Sequence, residues 1–293
     1  MSSYPILVGF DGSEGATAAL RWAADEAARS GAPLELLYAF EWQAVAGPIA
    51  PGPGSWPDRA AREDAKRMVD TAVAEILSAR PEASVTGTVE VGSAAAMLEQ
   101  RSRHARLVVL GNRGHGGFLG LLIGSTSVTV AAHAHCPVAV IRGDVAMDPV
   151  APVVVGTDGS DCSLLAVEYA FAQAAARGVP LRVVHAYTLP TPRWRPPEGF
   201  DPEEITVAEH SALDEMLAGW RDKYPTVPVN LEVVADTPGH VMVEATRGAA
   251  LVAVGSRGRG GFRGLLLGSV GGQLIHHAHC PVIVVRELPS PPA

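Results

Sequence analysis

The sequence predicts an α/β fold built twice in tandem, each copy an open, Rossmann-like parallel sheet with helices on both faces. Three observations carry that expectation. Segments recur at long range: ILVGFDGS (6–13) returns as VVVGTDGS (153–160), GAPLELLYAF (31–40) as GVPLRVVHAY (178–187), and HAHCPVAVIR (133–142) as HAHCPVIVVR (277–286). The offset is 147 residues early and 144 late, which is a domain duplication rather than a solenoid period. Within each half, short apolar runs alternate with helical patterns, which implies parallel strands covered on both faces.

In chain order, ILVGF is a buried strand ending at Asp-Gly, and residues 14–30 carry apolar positions at helical spacing up to Gly31, a C-cap signal. LELLYAF is the second strand. The proline- and glycine-rich stretch 43–57, with its partner 188–202, reads as a surface loop. Helical patterns follow at 58–80 and 203–224, then a third strand at 83–91 (227–235) and a short helix. RLVVLG, or ALVAVG in the second half, is a fourth strand leading straight into a glycine-rich loop; a helix then starts at Gly-Ser, and CPVAVIR closes the half. The seam GDVAMDPVAP (143–152) has two prolines and no periodicity, so domains are expected at 1–143 and 152–293 with a linker at 144–151.

Composition narrows the function. A net charge of −8 is no general footprint for nucleic acid, and no apolar run reaches the roughly 18 residues of a membrane span. MSSYPILVGFDGS reads as the start of a strand rather than a signal peptide. Three cysteines, Cys136, Cys162 and Cys280, without metal spacing suggest reduced thiols and a cytoplasmic protein.

The loops carry the chemistry. GNRGHGGFLGLLIGS (111–125) and GSRGRGGFRGLLLGS (255–269) are identical at eleven of fifteen positions. Each lies between a strand's carboxyl end and a helix start, where open α/β sheets bind ligands. Glycines permit a positive φ or a close approach to backbone amides, and a helix N-terminus attracts anions. Hydroxyls of Ser125 and Ser127 could add donors, although Ser125 and Ser269 could equally be plain N-caps. There is no Gly-Lys-Ser/Thr, and neither lysine lies near a loop, so this is not a Walker A site.

The spacing G-x2-G-x9-G-Ser, present as Gly111, Gly114, Gly124, Ser125 and as Gly255, Gly258, Gly268, Ser269, resembles the nucleotide-binding motif of the universal stress protein family. The resemblance extends to Val-Gly-x-Asp-Gly-Ser at each first strand and Cys-Pro-Val at each last strand, and its tandem form is similar to that of actinobacterial members. It implies five parallel strands per half, in an adenine nucleotide alpha hydrolase-like fold, and an ATP-binding subclass, with ATP taken together with Mg2+. Asp11 and Asp158 would lie beside the adenosine part; Ala39 and Ala186 would offer backbone groups to adenine. Gly114, His115, Gly124, Ser125 and Thr126 would meet phosphates in the first half, and Gly258, Arg259, Gly268, Ser269 and Val270 in the second. Gly271 replaces Ser127 in the second half, removing a hydroxyl, and Arg259 is expected to compensate as a phosphate ligand. The resemblance also implies that the last strands, 137–141 and 281–285, pair across a pseudo-two-fold axis, with two tandem chains forming a homodimer.

Other residues favour plainer readings. His133, His135, His277 and His279 fall at helix ends, where they complement the dipole rather than hold a metal. Cys136 and Cys280 precede a proline opening a buried strand and read as packing residues. Arg113 and Arg257, inside the loops, are open between phosphate binding and solvation. No Ser-His-Asp set, zinc motif or carboxylate pair near the loop supplies a general base. Two functions compete: ATP binding coupled to stress or energy-state signalling, and a slow ATPase or nucleotidyl- or phosphoryl-transferring enzyme. A scaffold that binds no nucleotide is a third.

Overall fold

The computed structural model describes residues 4–40, 59–114, 124–142, 148, 150–188, 202–260 and 267–286. The proline-rich loops expected at 43–57 and 188–202 fall almost wholly outside these residues, as does most of the expected linker. The chain divides into two compact units, one running to Gly143 and the other starting at Asp144.

In the first unit the order is β1 (Ile6–Gly9), α1 (Glu14–Ser30), β2 (Leu34–Phe40), α2 (Arg59–Ala79), β3 (Val85–Val91), α3 (Ala94–Ser102), β4 (Leu107–Gly111), α4 (Ser125–His133) and β5 (Val138–Ile141). The second unit repeats it as β6 (Val153–Gly156), α5 (Asp161–Arg177), β7 (Leu181–Tyr187), α6 (Pro202–Lys223), β8 (Val229–Ala235), α7 (Pro238–Ala245), β9 (Leu251–Gly255), α8 (Ser269–His277) and β10 (Val282–Val285). Both sheets have five strands with the same topology, β3-β2-β1-β4-β5 and β8-β7-β6-β9-β10, and every pairing within them is parallel.

The chain steps one way from β1 to β3, then returns past β1 to β4 and β5. Right-handed crossovers then place the helices of the two runs on opposite faces. With helices on both faces the central strands have no solvated side, so Ile6, Leu7, Val8 and Val153, Val154, Val155 are buried in succession. The edge strands β3 and β8 are only partly covered. Register brings Gly9 level with Leu37 and Gly111 level with Ile141, so the carboxyl ends of the strands form one rim.

The expected helix signals are visible in atomic terms. Ser13 and Ser160 cap α1 and α5, accepting from the amides of Ala16 and Ser163. Gly31 and Gly178 end them with φ of 65° and 66°, a conformation that Cβ disfavours. At the end of α4 the Nδ1 of His133 hydrogen-bonds the Thr129 carbonyl at 2.8 Å.

The cysteines divide by burial. Loss of solvation pushes the Cys136 and Cys280 thiols up to about 12 against the opposing pull of backbone hydrogen bonds, whereas Cys162 is only half-buried. Thiolate is the reactive form. In the native protein at neutral pH, dithiobis-nitrobenzoate should therefore label Cys162 alone, and denaturant should release all three thiols. Rapid native labelling of Cys136 or Cys280 would contradict the packing.

Candidate functional site

Each sheet opens a cleft where its strand order reverses, beyond the carboxyl ends of β1 and β4 or of β6 and β9. The first has a volume of about 460 Å³ and the second about 270 Å³. Asp11, Ala39, Gly111, Gly114, Gly124, Ser125, Thr126 and Ser127 all line the first. Asp158, Ala186, Gly255, Gly258, Gly268, Ser269 and Val270 line the second. His115 lies outside the described residues, as do the loop bodies 115–123 and 261–266.

The loops are pinched at their bases. The Gly124 amide donates to the Asn112 carbonyl at 2.8 Å, and Gly268 to Ser256 at the same distance. The Asn112 amide in turn donates to Ile141, and that of Ser256 to Val285. Each loop therefore leaves the rim and returns to it at one point, delivering the first turn of α4 or α8 to the cleft.

The motif glycines fall into three pairs with different surroundings, and none of them has a positive φ. Of the two roles the sequence left open for Gly114 and Gly258, a positive φ or a close approach, only the close approach remains. At Gly111 an added Cβ would stand 2.4 Å from the Gly15 carbonyl carbon, and at Gly255 it would stand 2.7 Å from that of Cys162. These two glycines let α1 and α5 press their first turns onto the strand ends. At Gly114 and Gly258 a Cβ would stand 2.3 and 2.4 Å from a carboxylate oxygen of Asp11 and Asp158. These admit the aspartate. At Gly124 and Gly268 the nearest atoms among the described residues would be 3.7 and 3.5 Å away, ordinary contact. Packing and backbone conformation leave those two unexplained.

Gly124 and Gly268 are themselves the N-caps, and Ser125 and Ser269 are the first helical residues rather than caps. A glycine cap has no side-chain acceptor, so α4 and α8 start with first-turn amides that their caps do not satisfy. By contrast α1 and α5, starting beside the same clefts, are closed by serine.

The aspartates organise the loops. Asp11 accepts from the Ser13 amide at 3.0 Å. Asp158 accepts from the Ser160 amide and hydroxyl on one oxygen, at 3.0 and 2.6 Å, and from the Arg259 amide on the other at 2.6 Å. Burial works against its ionisation. The hydrogen bonds from Ser160, Arg259 and Ser163 outweigh burial and hold its carboxyl below the usual range. The Ser13 hydroxyl ties α1 to the first loop by donating to the Arg113 carbonyl at 3.2 Å.

Two side chains are not placed as the sequence suggested. The Arg259 guanidinium donates to the Gly159 carbonyl at 3.2 Å, folding back over the Asp-Gly turn; Arg257, not Arg259, lines the cleft, as Arg113 does in the first unit. Ser127 is buried and its hydroxyl donates to the Gly111 carbonyl at 2.8 Å. Its proton is committed to the loop base, so its replacement by Gly271 removes a tether rather than a cleft donor. Arg142, just after β5, has its guanidinium pKa lowered by burial and then by the like charge of Arg113. Sequence reasoning missed Leu98, Met242, Gly239 and Gln273 on the cleft walls. A glycine in the first turn of α7 was a readable signal for the last two.

Comparison with known proteins agrees with this architecture. The universal stress protein family model matches residues 4–142 and again 150–286. A universal stress protein of Mycobacterium tuberculosis is 40% identical over 299 aligned positions, covering 98% of this chain and 97% of the relative. One from Mycolicibacterium smegmatis is 38% identical over 298, covering 97% and 98%. A solved universal stress protein of Archaeoglobus fulgidus shares the fold, with a TM-score of 0.70 at 19% identity across 98% of this chain and 99% of that one. Matched by the family model in both halves and by these relatives along nearly its whole length, the chain belongs to the universal stress protein family.

Proposed function

We propose that each cleft binds one ATP molecule, and that the protein couples occupancy of the two clefts to stress or energy-state signalling. One observation carries the reading: Gly124 and Gly268 are the motif glycines that neither a positive φ nor a close contact with the described residues explains, and both cap helices whose first turns line a cleft. A phosphate chain would take those amides, with Arg113 or Arg257 at the loop base. Apolar walls at Leu37 and Leu98, or Val184 and Met242, suit a flat base, and Ala39 or Ala186 at the strand end leaves room for one.

Magnesium fits as a passenger of the phosphates rather than as a resident ion. One aspartate lines each cleft, and among the described residues no three His, Cys, Asp or Glu side chains form a metal group. Mg2+ commonly keeps several waters and uses few carboxylates alongside substrate phosphates. Signalling is favoured over a slow ATPase because the only carboxylate lining the second cleft among the described residues, Asp158, is hydrogen-bonded on both oxygens and held ionised, a poor candidate to take a proton from water.

Calorimetric titration of nucleotide-free protein with MgATP should give two nucleotides per chain, with hydrolysis slow against dissociation. A stoichiometry of zero would remove the reading, and rapid single-turnover hydrolysis would replace it with the enzymatic one. We further propose a cytoplasmic homodimer of tandem chains, which sedimentation and fractionation would test.

A further inference from the structure

Gln273 is a polar wall residue that ATP binding as described above does not use. It is the fifth residue of α8, and helical side chains lean toward the helix N-terminus, so its carboxamide returns to the level of the first turn. There it meets the first turn of α7. A Cβ on Gly239 would lie 1.8 Å from the Gln273 Oε1 and 2.5 Å from its Cδ. Gly239 is buried and is the second residue of α7. Glycine inside a helix is less stable than alanine, and here the missing methyl is the space the carboxamide fills.

The pair is peculiar to the second unit. At the later repeat offset its counterparts are Ala95 and Thr129, a methyl where the carboxamide lies and a side chain too short to reach. Gly239 and Gln273 line the second cleft together with Asp158, Arg257 and Ser269. The carboxamide lies between the starts of α7 and α8, where both helix dipoles present their positive ends. Its oxygen lies against the first turn of α7, and among the described residues the Gln273 side chain makes no hydrogen bond, so its two N–H donors are uncommitted there.

We propose that the Gln273 amide is a phosphate-oxygen donor of the second cleft, so that this site relies on the phosphate chain more than the first does. The proposal rests on reading the cleft as a nucleotide site. The test uses the full chain with the first site silenced by Gly124→Asp. Gln273→Thr installs the first unit's residue, and Gly239→Ala expels the carboxamide while leaving Gln273 in place. Affinities for MgATP and for adenosine are measured for each. Both variants should bind ATP about tenfold more weakly, the loss of one hydrogen bond to a charged group, and bind adenosine unchanged. Gln273→Glu, nearly the same shape but anionic, should lose ATP by more than tenfold and still keep adenosine. Equal losses for ATP and adenosine would make Gln273 a packing residue, and an unchanged ATP affinity would likewise overturn the proposal. A parent protein whose second site takes neither ligand would instead remove the nucleotide reading itself, and this proposal with it.

Discussion

The double variant Gly124→Asp/Gly268→Asp is expected to keep its fold, melt at the same or a slightly higher temperature, and lose both nucleotides. The backbone at these caps, φ −75° and ψ 144° or φ −65° and ψ 157°, is the extended conformation an N-cap aspartate adopts. Among the described residues an added Cβ has room, with nearest atoms at 3.7 and 3.5 Å. The new carboxylate would accept from the open first-turn amides, worth a few tenths of a kcal/mol over glycine, and would meet the positive end of the dipole for about 0.3–1 kcal/mol more. The same carboxylate would occupy the phosphate's donors and repel its charge. Losing even two charge-assisted hydrogen bonds, at about 1.5–3 kcal/mol each, weakens binding by at least roughly a hundredfold. Stability and affinity should thus move in opposite directions. Asparagine at the same positions caps without charge and should fall between. Calorimetry with thermal melts decides: wild-type affinity in the aspartate variant would show that these helix starts do not meet phosphate, and unfolding would show that the fold needs the glycines after all.

How much of this was legible in the sequence depends on the distance over which each residue acts. The strands and helices follow local pattern, and Ser13, Gly31, Ser160 and Gly178 end or begin their helices as short-range signals do. The position of the clefts was also readable, because a glycine loop between a strand and a helix has one place to go in a parallel sheet. The reason for each glycine was not. Gly114 and Gly258 look alike in sequence to Gly124 and Gly268, yet the first pair admits an aspartate about 100 residues earlier in the chain and the second admits no side chain among the described residues. That distinction exists only once β1 and β4 are side by side.

Arg259 and Ser127 make the same point for side chains. Arginine in a glycine loop suggests a phosphate ligand, but Arg259 covers Gly159 and donates to its carbonyl. In the first unit the matching turn is covered by Met68 from α2, whose sulfur would stand 2.4 Å from a Cβ on Gly12. The two Asp-Gly turns, nearly the same in sequence, are therefore tied to different elements: one to a helix, the other to the loop itself. Ser127 likewise reads as a donor for a ligand until the Gly111 carbonyl is seen to claim its proton.

Gly114→Ala and Gly258→Ala should each cost one site most of its affinity, and the cause should be the aspartate. At Gly258 the new methyl would lie 2.4 Å from the Asp158 Oδ2, and that carboxylate has no freedom to yield, held by the Ser160 hydroxyl at 2.6 Å and the Arg259 amide at 2.6 Å. Displacing it breaks the bond that fastens the loop, an anion-assisted hydrogen bond of about 1.5–3 kcal/mol. The loop then no longer delivers α8 to the cleft, and ATP affinity at that site should fall by about thirtyfold or more, with a matching local loss of stability. The anchor's pH dependence has a definite sign. Because the folded Asp158 pKa is lowered, its contribution is fully present above the unfolded value of about 3.9 and is lost only as pH falls through the lower folded value. Binding defects from Gly258→Ala should therefore be undiminished from pH 5 to 8. A double-mutant cycle isolates the cause. In an Asp158→Ala background the methyl meets no carboxylate, so Gly258→Ala should add little further loss, and the coupling should be roughly 1–3 kcal/mol. Additive losses would mean that Gly258 serves the ligand directly, with the aspartate only a neighbour.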